Sequence, residues 1–204
     1  MIQLISRTVG LLSANCHILR TDDEVVVIDP GGNAEVIYPL IGQRKLKYVI
    51  NTHGHYDHIA ANNDLKARFD TKLLIGEHDS DMLLDPELNL SAMVDRPYIS
   101  MAPDVLLKNG DRIPFVGKYL EVILTPGHTK GSICLLLDNR LFSGDTLFFH
   151  SVGRTDLPTG SFSDLERSIR SRLYTLPDDT KVYTGHGEDT VIGEEKKYNE
   201  FVKP

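Results

Sequence analysis

Histidine and aspartate side chains are concentrated in one short segment, His53-Gly54-His55-Tyr56-Asp57-His58. Four groups that can bind a metal fall within six residues, and imidazole together with carboxylate suits zinc, iron or manganese better than calcium or magnesium. A plain surface turn in which Asp57 only caps a helix has no need of three histidines. The spacing therefore predicts that this segment forms part of a metal site.

Three further candidate ligands stand in glycine-flanked turns of the second half of the chain. His128 lies in Pro-Gly-His-Thr, Asp145 in Ser-Gly-Asp-Thr and His186 in Gly-His-Gly. Each turn alone is an ordinary loop, but each one follows a predicted strand and carries a side chain that can bind a metal. Because a rigid sheet positions functional residues on such loops, we expect these three side chains to supply the remaining ligands.

Alternating strands and helices must position these residues. Helices are predicted over residues 33–44, 58–69, 77–84 and 162–173, with Asn33 and either Ser161 or Ser163 as N-terminal caps. Residues 85–103 hold three prolines and weak periodicity, and we expect this stretch, with Met93 and Tyr98, to form one wall of a pocket. The predicted strands are short and apolar, and they cover residues 3–9, 14–20, 24–28, 46–51, 72–76, 105–107, 112–115, 119–125, 132–137, 140–143 and 181–184.

Composition excludes several classes of protein. The chain has 204 residues, of which 41% are hydrophobic and 25% charged, which is typical of a globular protein, and we predict a single domain over residues 1–204. The net charge of −7 disfavours nucleic acid and anionic membranes as partners. No apolar stretch approaches the length of a spanning helix, and no secretory signal is recognisable. The two cysteines, Cys16 and Cys134, cannot build a disulfide framework, so a cytoplasmic protein is expected.

The order of these motifs resembles the metallo-β-lactamase superfamily, in particular its glyoxalase II-like (hydroxyacylglutathione hydrolase-like) branch. The resemblance extends from Ile28-Asp29-Pro30-Gly31 to Gly187. It implies an α/β fold, an αβ/βα sandwich of two mixed β-sheets flanked by helices, with a dinuclear metal site at one edge of the sheets. It also implies two divalent ions, with zinc favoured over iron or manganese.

The resemblance assigns roles to the candidate ligands. Asp145 and the pair Asp57-His58 distinguish the chain from a β-lactamase proper, which has cysteine in place of the bridging aspartate, and His55 distinguishes it from the flavodiiron branch. Asp57 and Asp145 are the implied catalytic carboxylates. By motif, one metal would be held by His53, His55 and His128, the other by Asp57, His58 and His186, and Asp145 would bridge both.

The implied reaction is hydrolysis of a small thioester of the S-lactoylglutathione type by a hydroxide that bridges the metals. A thiolate leaving group has a pKa of about 8.5 and departs without strong acid assistance, so metal ligands alone suffice for this reaction. The expected partner is therefore a small-molecule thioester. The acyl group, the carrier thiol and the oligomeric state are left open.

Substrate recognition departs from the two-domain glyoxalase II pattern. The chain ends 18 residues after His186, so we expect no C-terminal helical substrate domain. Arg154 takes the place of a glutathione-binding lysine and is predicted to bind an anionic part of the substrate, with an ion pair to Asp156 or Asp164 as the alternative. Tyr56, which lies between the ligands, is the second predicted substrate contact.

Two further alternatives stay open at this point. The segment Gly153-Arg154-Thr155-Asp156 also resembles persulfide dioxygenases, which hold a single iron through two histidines and one aspartate, and a mononuclear-iron sulfur dioxygenase is therefore the second candidate function. Asp29 ends a buried strand. Its carboxylate could hold a ligand imidazole, or it could simply begin the Pro-Gly-Gly turn.

Overall fold

The computed structural model describes residues 1–204 and divides into two compact units. The first unit contains residues 1–75 and 79–106, and the second contains residues 76–78 and 107–204. Each unit is built around one six-stranded sheet. The single domain expected over residues 1–204 stays a prediction.

The sheet of the first unit is mixed, with strand order β1-β2-β3-β4-β5-β6. Strands β1, β2 and β3 pair antiparallel, whereas β3, β4 and β5 pair parallel. Parallel strands end at the same edge of a sheet, so Asp29, after β3, and the metal-ligand segment, after β4, lie at one edge. The strands are β1 (Gln3–Val9), β2 (Ala14–Arg20), β3 (Glu24–Ile28), β4 (Lys45–Asn51), β5 (Lys72–Gly76) and β6 (Val105–Leu107).

Three α-helices belong to the first unit: α1 (Ala34–Ile41), α2 (Tyr56–Ile59) and α3 (Asn62–Arg68). Side chains alternate between the two faces of a strand, so one face of the sheet can carry a continuous apolar surface. The apolar faces of α1 and α3 pack on that surface, with Ile37, Leu65, Val25 and Val27 in one buried cluster. The cluster anchors the two helices that flank α2 in the sequence.

Three helix predictions are wrong in detail. Asn33 occupies the predicted N-cap position of α1, but its side chain does not cap the helix: its backbone is left-handed (φ 50°, ψ 53°), and its Oδ1 accepts a hydrogen bond from the backbone N of Gly10 at 2.7 Å. The helix predicted over residues 58–69 is interrupted between α2 and α3, since the backbone N of Ala61 donates to the carbonyl of Pro30 at 2.9 Å. The predicted helix at 77–84 is a 3-10 helix, Glu77–Leu83.

The second unit has a mixed sheet of order β14-β13-β10-β9-β8-β7 and a separate hairpin of β11 and β12. Strands β8 and β10 are both antiparallel to β9, and β13 is parallel to β10. Strands β8, β10 and β13 therefore end at the same edge of the sheet. The strands are β7 (Arg112–Phe115), β8 (Lys118–Leu124), β9 (Ile133–Leu137), β10 (Arg140–Gly144), β11 (Leu147–Phe148), β12 (Ser151–Val152), β13 (Lys181–Thr184) and β14 (Thr190–Val191).

Helices α4 (Phe162–Ser168) and α5 (Ile192–Tyr198) pack on the second sheet through a buried cluster that includes Leu165 and Leu141. Ser161 is the cap, since its Oγ accepts from the backbone N of Asp164 at 3.3 Å. The helix predicted to residue 173 leaves the α-form after Ser168 and continues as one π-helical segment, Ile169–Leu173. The sequence patterns do not predict the hairpin, β14 or α5. No helix combines the length and apolar character needed to cross a membrane.

Candidate metal centre

The metal-ligand segment of the first unit is buried despite its polarity. His53 and His55 follow β4, whereas Asp57 and His58 lie on α2, and none of the four residues is more than 7% exposed. The ring centroids of His53 and His58 lie 4.2 Å apart, and those of His53 and His55 lie 4.9 Å apart. Possible ligand atoms of these residues approach within 4.8 Å. Buried polar groups need hydrogen-bond partners or a metal ion, so four metal-binding side chains this close together fit a metal site.

Asp29 holds this segment in place. Its Oδ1 accepts from the backbone N of Thr52 at 2.7 Å, and its Oδ2 accepts from Thr52 Oγ1 at 2.6 Å and lies 3.1 Å from His58 Nδ1. Thr52 Oγ1, which donates to Asp29, lies 3.2 Å from His53 Nδ1 and can only accept there. Both imidazoles therefore carry their proton on Nδ1, which leaves the lone pair of Nε2 for a metal.

Asp29 has both of the roles considered for it, a contact to a ligand imidazole and the start of the Pro-Gly-Gly turn. Its carboxylate orients a ligand imidazole, and its backbone also begins the turn, since the backbone N of Gly31 donates to the carbonyl of Asp29 at 2.9 Å.

In the second unit, His128, Asp145 and His186 follow β8, β10 and β13 and come together at the shared edge. Asp145 Oδ2 lies 3.5 Å from His128 Nε2 and 3.7 Å from His186 Nε2. These separations exceed those of an ordinary hydrogen bond. Two ligand atoms on one tetrahedral zinc ion, each about 2.0 Å from it, would lie about 3.3 Å apart. Donor types and spacing thus fit neighbouring ligands of a metal ion.

The same spacing occurs in the first unit, where Asp57 Oδ2 lies 3.6 Å from His58 Nε2. Each unit therefore supplies a carboxylate next to at least one imidazole at the separation that a shared ion would impose.

Two glycines allow the chain to pack tightly around Asp145. A Cβ on Gly153 would lie 1.8 Å from the carbonyl oxygen of Asp145, and a Cβ on Gly185 would lie 2.2 Å from Asp145 Oδ1. The close passage at Gly153 brings the carbonyl of Arg154 to 2.7 Å from His128 Nδ1. This imidazole also carries its proton on Nδ1, because a carbonyl can only accept.

The side chain of Arg154, a predicted substrate contact, is exposed and engaged. Its Nε and one terminal nitrogen donate to the two carboxylate oxygens of Asp156 at 2.7 and 2.8 Å. These hydrogen bonds lower the pKa of Asp156 to about 2. The alternative of an ion pair to Asp156 is thus present, and binding of substrate by Arg154 stays a prediction.

Tyr56, the other predicted contact, is half-buried and lines a cleft of about 730 Å³ in the first unit. Burial, followed by the charge of Asp57, raises the pKa of Tyr56. Residues 94–98 form another wall of this cleft and include Tyr98, as the sequence predicts, whereas Met93 is 83% exposed and does not line it. Arg96 also lines the cleft, and no motif in the sequence marks it.

Comparisons with known proteins define the class. The profile of the metallo-beta-lactamase superfamily matches residues 9–186, and the chain belongs to this superfamily. The probable metallo-hydrolase YqgX of Bacillus subtilis is 34% identical over 199 residues, which cover 95% of this chain and 94% of that protein. The hydroxyacylglutathione hydrolase GloC of Haemophilus influenzae is 36% identical over 196 residues, which cover 92% of each chain.

Solved structures confirm the predicted fold class, two mixed β-sheets flanked by helices. The BLEG-1 B3 metallo-beta-lactamase superimposes with a TM-score of 0.93 at 34% identity, covering 99% of this chain and 100% of that one. TTHA1623 in a di-iron-bound form gives 0.87 at 31% identity, covering 97% and 100%. ETHE1 from Myxococcus xanthus gives 0.81 at 28% identity, covering 97% and 83%. The chain is therefore a member of a superfamily of metal-dependent hydrolases.

Proposed function

We propose that the protein hydrolyses a small thioester of the S-lactoylglutathione type at a dinuclear metal centre. The observation that carries the proposal is the position of Asp145, one oxygen of which faces the Nε2 atoms of both His128 and His186. This is the position expected of a carboxylate that bridges two ions. The proposed ligands are His53, His55 and His128 for one ion, Asp57, His58 and His186 for the other, and Asp145 for both.

Residues around the proposed metal centre orient the ligand imidazoles through hydrogen bonds at Nδ1. Asp29 and Thr52 hold the Nδ1 protons of His58 and His53, and the carbonyl of Arg154 holds that of His128. These contacts occupy Nδ1 of the three imidazoles and orient the rings so that Nε2 can face a metal. Two bound divalent ions would make hydroxide accessible near neutral pH and polarise the thioester carbonyl. We propose zinc, with iron or manganese as alternatives, and the di-iron form of TTHA1623 supports iron as one of them.

Thioester hydrolysis requires few catalytic groups besides the metal ligands. The oxygen of water bonds to the acyl carbon, the carbon–sulfur bond breaks, and the sulfur leaves as a thiolate that takes its proton from solvent. Since the pKa of a thiol is about 8.5, no strong general acid is needed. The similarity to GloC supports this choice of substrate.

The test combines metal analysis with turnover on one sample purified without chelator. We expect about two metal ions per chain and hydrolysis of S-lactoylglutathione that is lost on chelation and restored by zinc or manganese. Asp145→Asn should lower turnover by about 100-fold or more. The control Asp138→Asn changes an exposed carboxylate of the same unit and should leave turnover unchanged. Turnover that survives in Asp145→Asn would contradict a catalytic role for this centre.

The second candidate is the mononuclear-iron persulfide dioxygenase. The similarity to ETHE1 and the segment Gly153–Asp156 favour it. In that reaction, dioxygen oxidises the outer sulfur of a persulfide to sulfite, and water supplies the remaining oxygen while the thiol is released. One iron per chain and oxygen uptake with glutathione persulfide, without thioester hydrolysis, would establish it. Hydrolysis of a chromogenic β-lactam should be assayed on the same sample, because the similar structure BLEG-1 is a B3 metallo-beta-lactamase.

A further inference from the structure

The cleft that Tyr56 lines adjoins the metal-ligand segment. Its walls are the turn between β1 and β2, the turn after β3, and residues 94–98, while Tyr56 and Ala60 contribute from α2 and the residue after it. The volume of about 730 Å³ lies within the range of small-molecule sites. A ligand in this cleft would lie beside the helix that carries Asp57 and His58.

The wall formed by residues 94–98 is fixed to the metal-ligand segment. The backbone N of Tyr56 donates to the carbonyl of Asn89 at 2.9 Å, and the side-chain amide of Asn89 donates to the carbonyl of Tyr98 at 3.0 Å. The hydroxyl of Tyr98 in turn accepts from the backbone N of Asn63 on α3 at 3.2 Å. The cleft is therefore formed before a ligand arrives, which lowers the entropic cost of binding.

The lining combines apolar surface with one cation. Leu11, at the tip of the β1–β2 turn, is 84% exposed, and the half-buried Val94 also lines the cleft. Arg96 is exposed and is the only lysine or arginine that lines the cleft, and Asp95 precedes it. Arg154, by contrast, is already paired with Asp156. An amphipathic ligand with an anionic end matches this arrangement.

We propose that this cleft binds the carrier part of the thioester, with Arg96 pairing with an anionic group of the carrier and Leu11 covering its apolar portion. The substrate class is thus a thioester of a carboxylate- or phosphate-bearing thiol. The inference rests on the proposed thioester hydrolysis for the nature of the reacting bond, but binding of the carrier can be measured without turnover.

The kinetic test uses three thioesters with the same acyl group, carried by glutathione, coenzyme A and the neutral N-acetylcysteamine. Arg96→Gln should raise KM for the anionic carriers about five- to tenfold and leave the neutral one unchanged, since it removes only a charged pair. Asp95→Asn should lower KM for the anionic carriers, because it removes a repelling charge. The carrier whose KM rises more in Arg96→Gln is identified as the source of the anion.

Two further variants complete the kinetic series. Arg112→Gln makes the same charge change at an exposed residue on β7 and should alter no KM. Leu11→Ser, at an exposed turn where folding is not at risk, should raise KM for all three thioesters. Equal effects of Arg96→Gln on charged and neutral carriers would overturn the role of Arg96.

The binding test separates failure of the cleft from failure of the proposed reaction. The ¹⁵N-labelled protein is titrated with S-methylglutathione and S-methyl coenzyme A, which cannot offer a thiolate to a metal. We expect amide shifts at Gly10, Gly31 and Arg96 and weaker binding in Arg96→Gln. Such shifts without any thioester turnover would support binding of the carrier in this cleft and refute the proposed reaction. Binding that is lost in Arg154→Gln but not in Arg96→Gln would refute the proposal that the carrier binds in this cleft.

Discussion

The backbone carbonyl of Arg154 lies 2.7 Å from Nδ1 of His128, so a main-chain atom of the Gly-Arg-Thr-Asp segment orients a candidate metal ligand. The guanidinium of the same residue does not contact His128 in this way; it forms an ion pair with Asp156. The carbonyl accepts from Nδ1 and thereby leaves Nε2 available to a metal. Any residue at position 154 offers a carbonyl, whereas the approach itself depends on the glycine before it.

Gly153→Ala should weaken metal binding about 10- to 100-fold, because the new Cβ would displace the segment from Asp145 and release the ring of His128. The affinity can be measured by competition with a chromophoric zinc chelator. Gly117→Ala is the matched control: it lies in an exposed turn at φ +72° with no atom within 4 Å of the new Cβ. The control should unfold at lower denaturant, because a non-glycine residue is strained at this φ. Equal zinc affinities in the two variants would contradict this role of Gly153.

Asp29→Asn tests the proton arrangement in the first unit. Its amide nitrogen would donate towards His58 Nδ1 and drive that proton to Nε2, where a metal could no longer bind. We expect metal affinity to fall about 10- to 100-fold while the native far-UV circular dichroism is retained. Asp22→Asn, at the exposed β2–β3 turn, supplies the control. Full metal occupancy in Asp29→Asn would show that the Asp29–His58 contact does not set the tautomer.

The strand ends that carry the candidate ligands could be predicted because short apolar runs and glycine-flanked turns are local signals. The sequence predicts a buried strand over residues 46–51, and His53 follows the observed strand β4 at the predicted place. The same local signals predict the turns around Asp145 and His186. What local signals predict is which end of a strand a residue occupies, and parallel pairing then brings such ends to one edge.

Contacts between distant segments could not be predicted from local signals. Asparagine is a common helix cap, but the side chain of Asn33 accepts a hydrogen bond from the backbone N of Gly10 in the β1–β2 turn and therefore does not cap α1. The interruption before α3 arises from the carbonyl of Pro30, which is remote in sequence from Ala61. Arg96 faces a cleft whose other walls come from three separate segments. Each of these features depends on partners that spacing along the chain does not reveal.

The carboxyl of Asp104 should make stability depend on pH in the acid range. Partial burial by itself raises the pKa of Asp104, but the hydrogen bond from the backbone N of Leu73 and the ion pair with Lys66 outweigh it and lower the pKa below its ordinary value of 3.8. A carboxyl with a lowered folded-state pKa stabilises the protein above its unfolded pKa and loses that contribution as pH falls towards the folded one.

Asp104→Asn removes this contribution. The gap in unfolding free energy between wild type and variant should be constant above about pH 5 and should shrink as the pH falls below about 4. Urea unfolding at a series of pH values measures the gap. Lys66→Met should remove part of the pH dependence, because Leu73 still donates to the carboxylate. Parallel curves for wild type and Asp104→Asn over the whole range would refute the linkage.

The two cysteines report separately on the opening of the two units. Cys16 lies in the first unit and Cys134 in the second, and both are fully buried. Burial raises the pKa of Cys134 to about 11, despite hydrogen bonds that lower it, and burial together with the charge of Asp29 raises the pKa of Cys16. Since the thiolate is the reactive form, neither thiol should react with a disulfide reagent in the native protein, and both should react in guanidinium chloride.

The variants Cys16→Ala and Cys134→Ala leave one reporter each, and their labelling rates under native conditions measure the free energy of opening around that residue. Equal rates would indicate that both units open in one global transition. A faster rate at one cysteine would identify the unit that opens first, and added zinc should slow labelling in any unit whose opening breaks the metal centre. A native thiol that reacts as fast as free cysteine would contradict the burial on which the prediction rests.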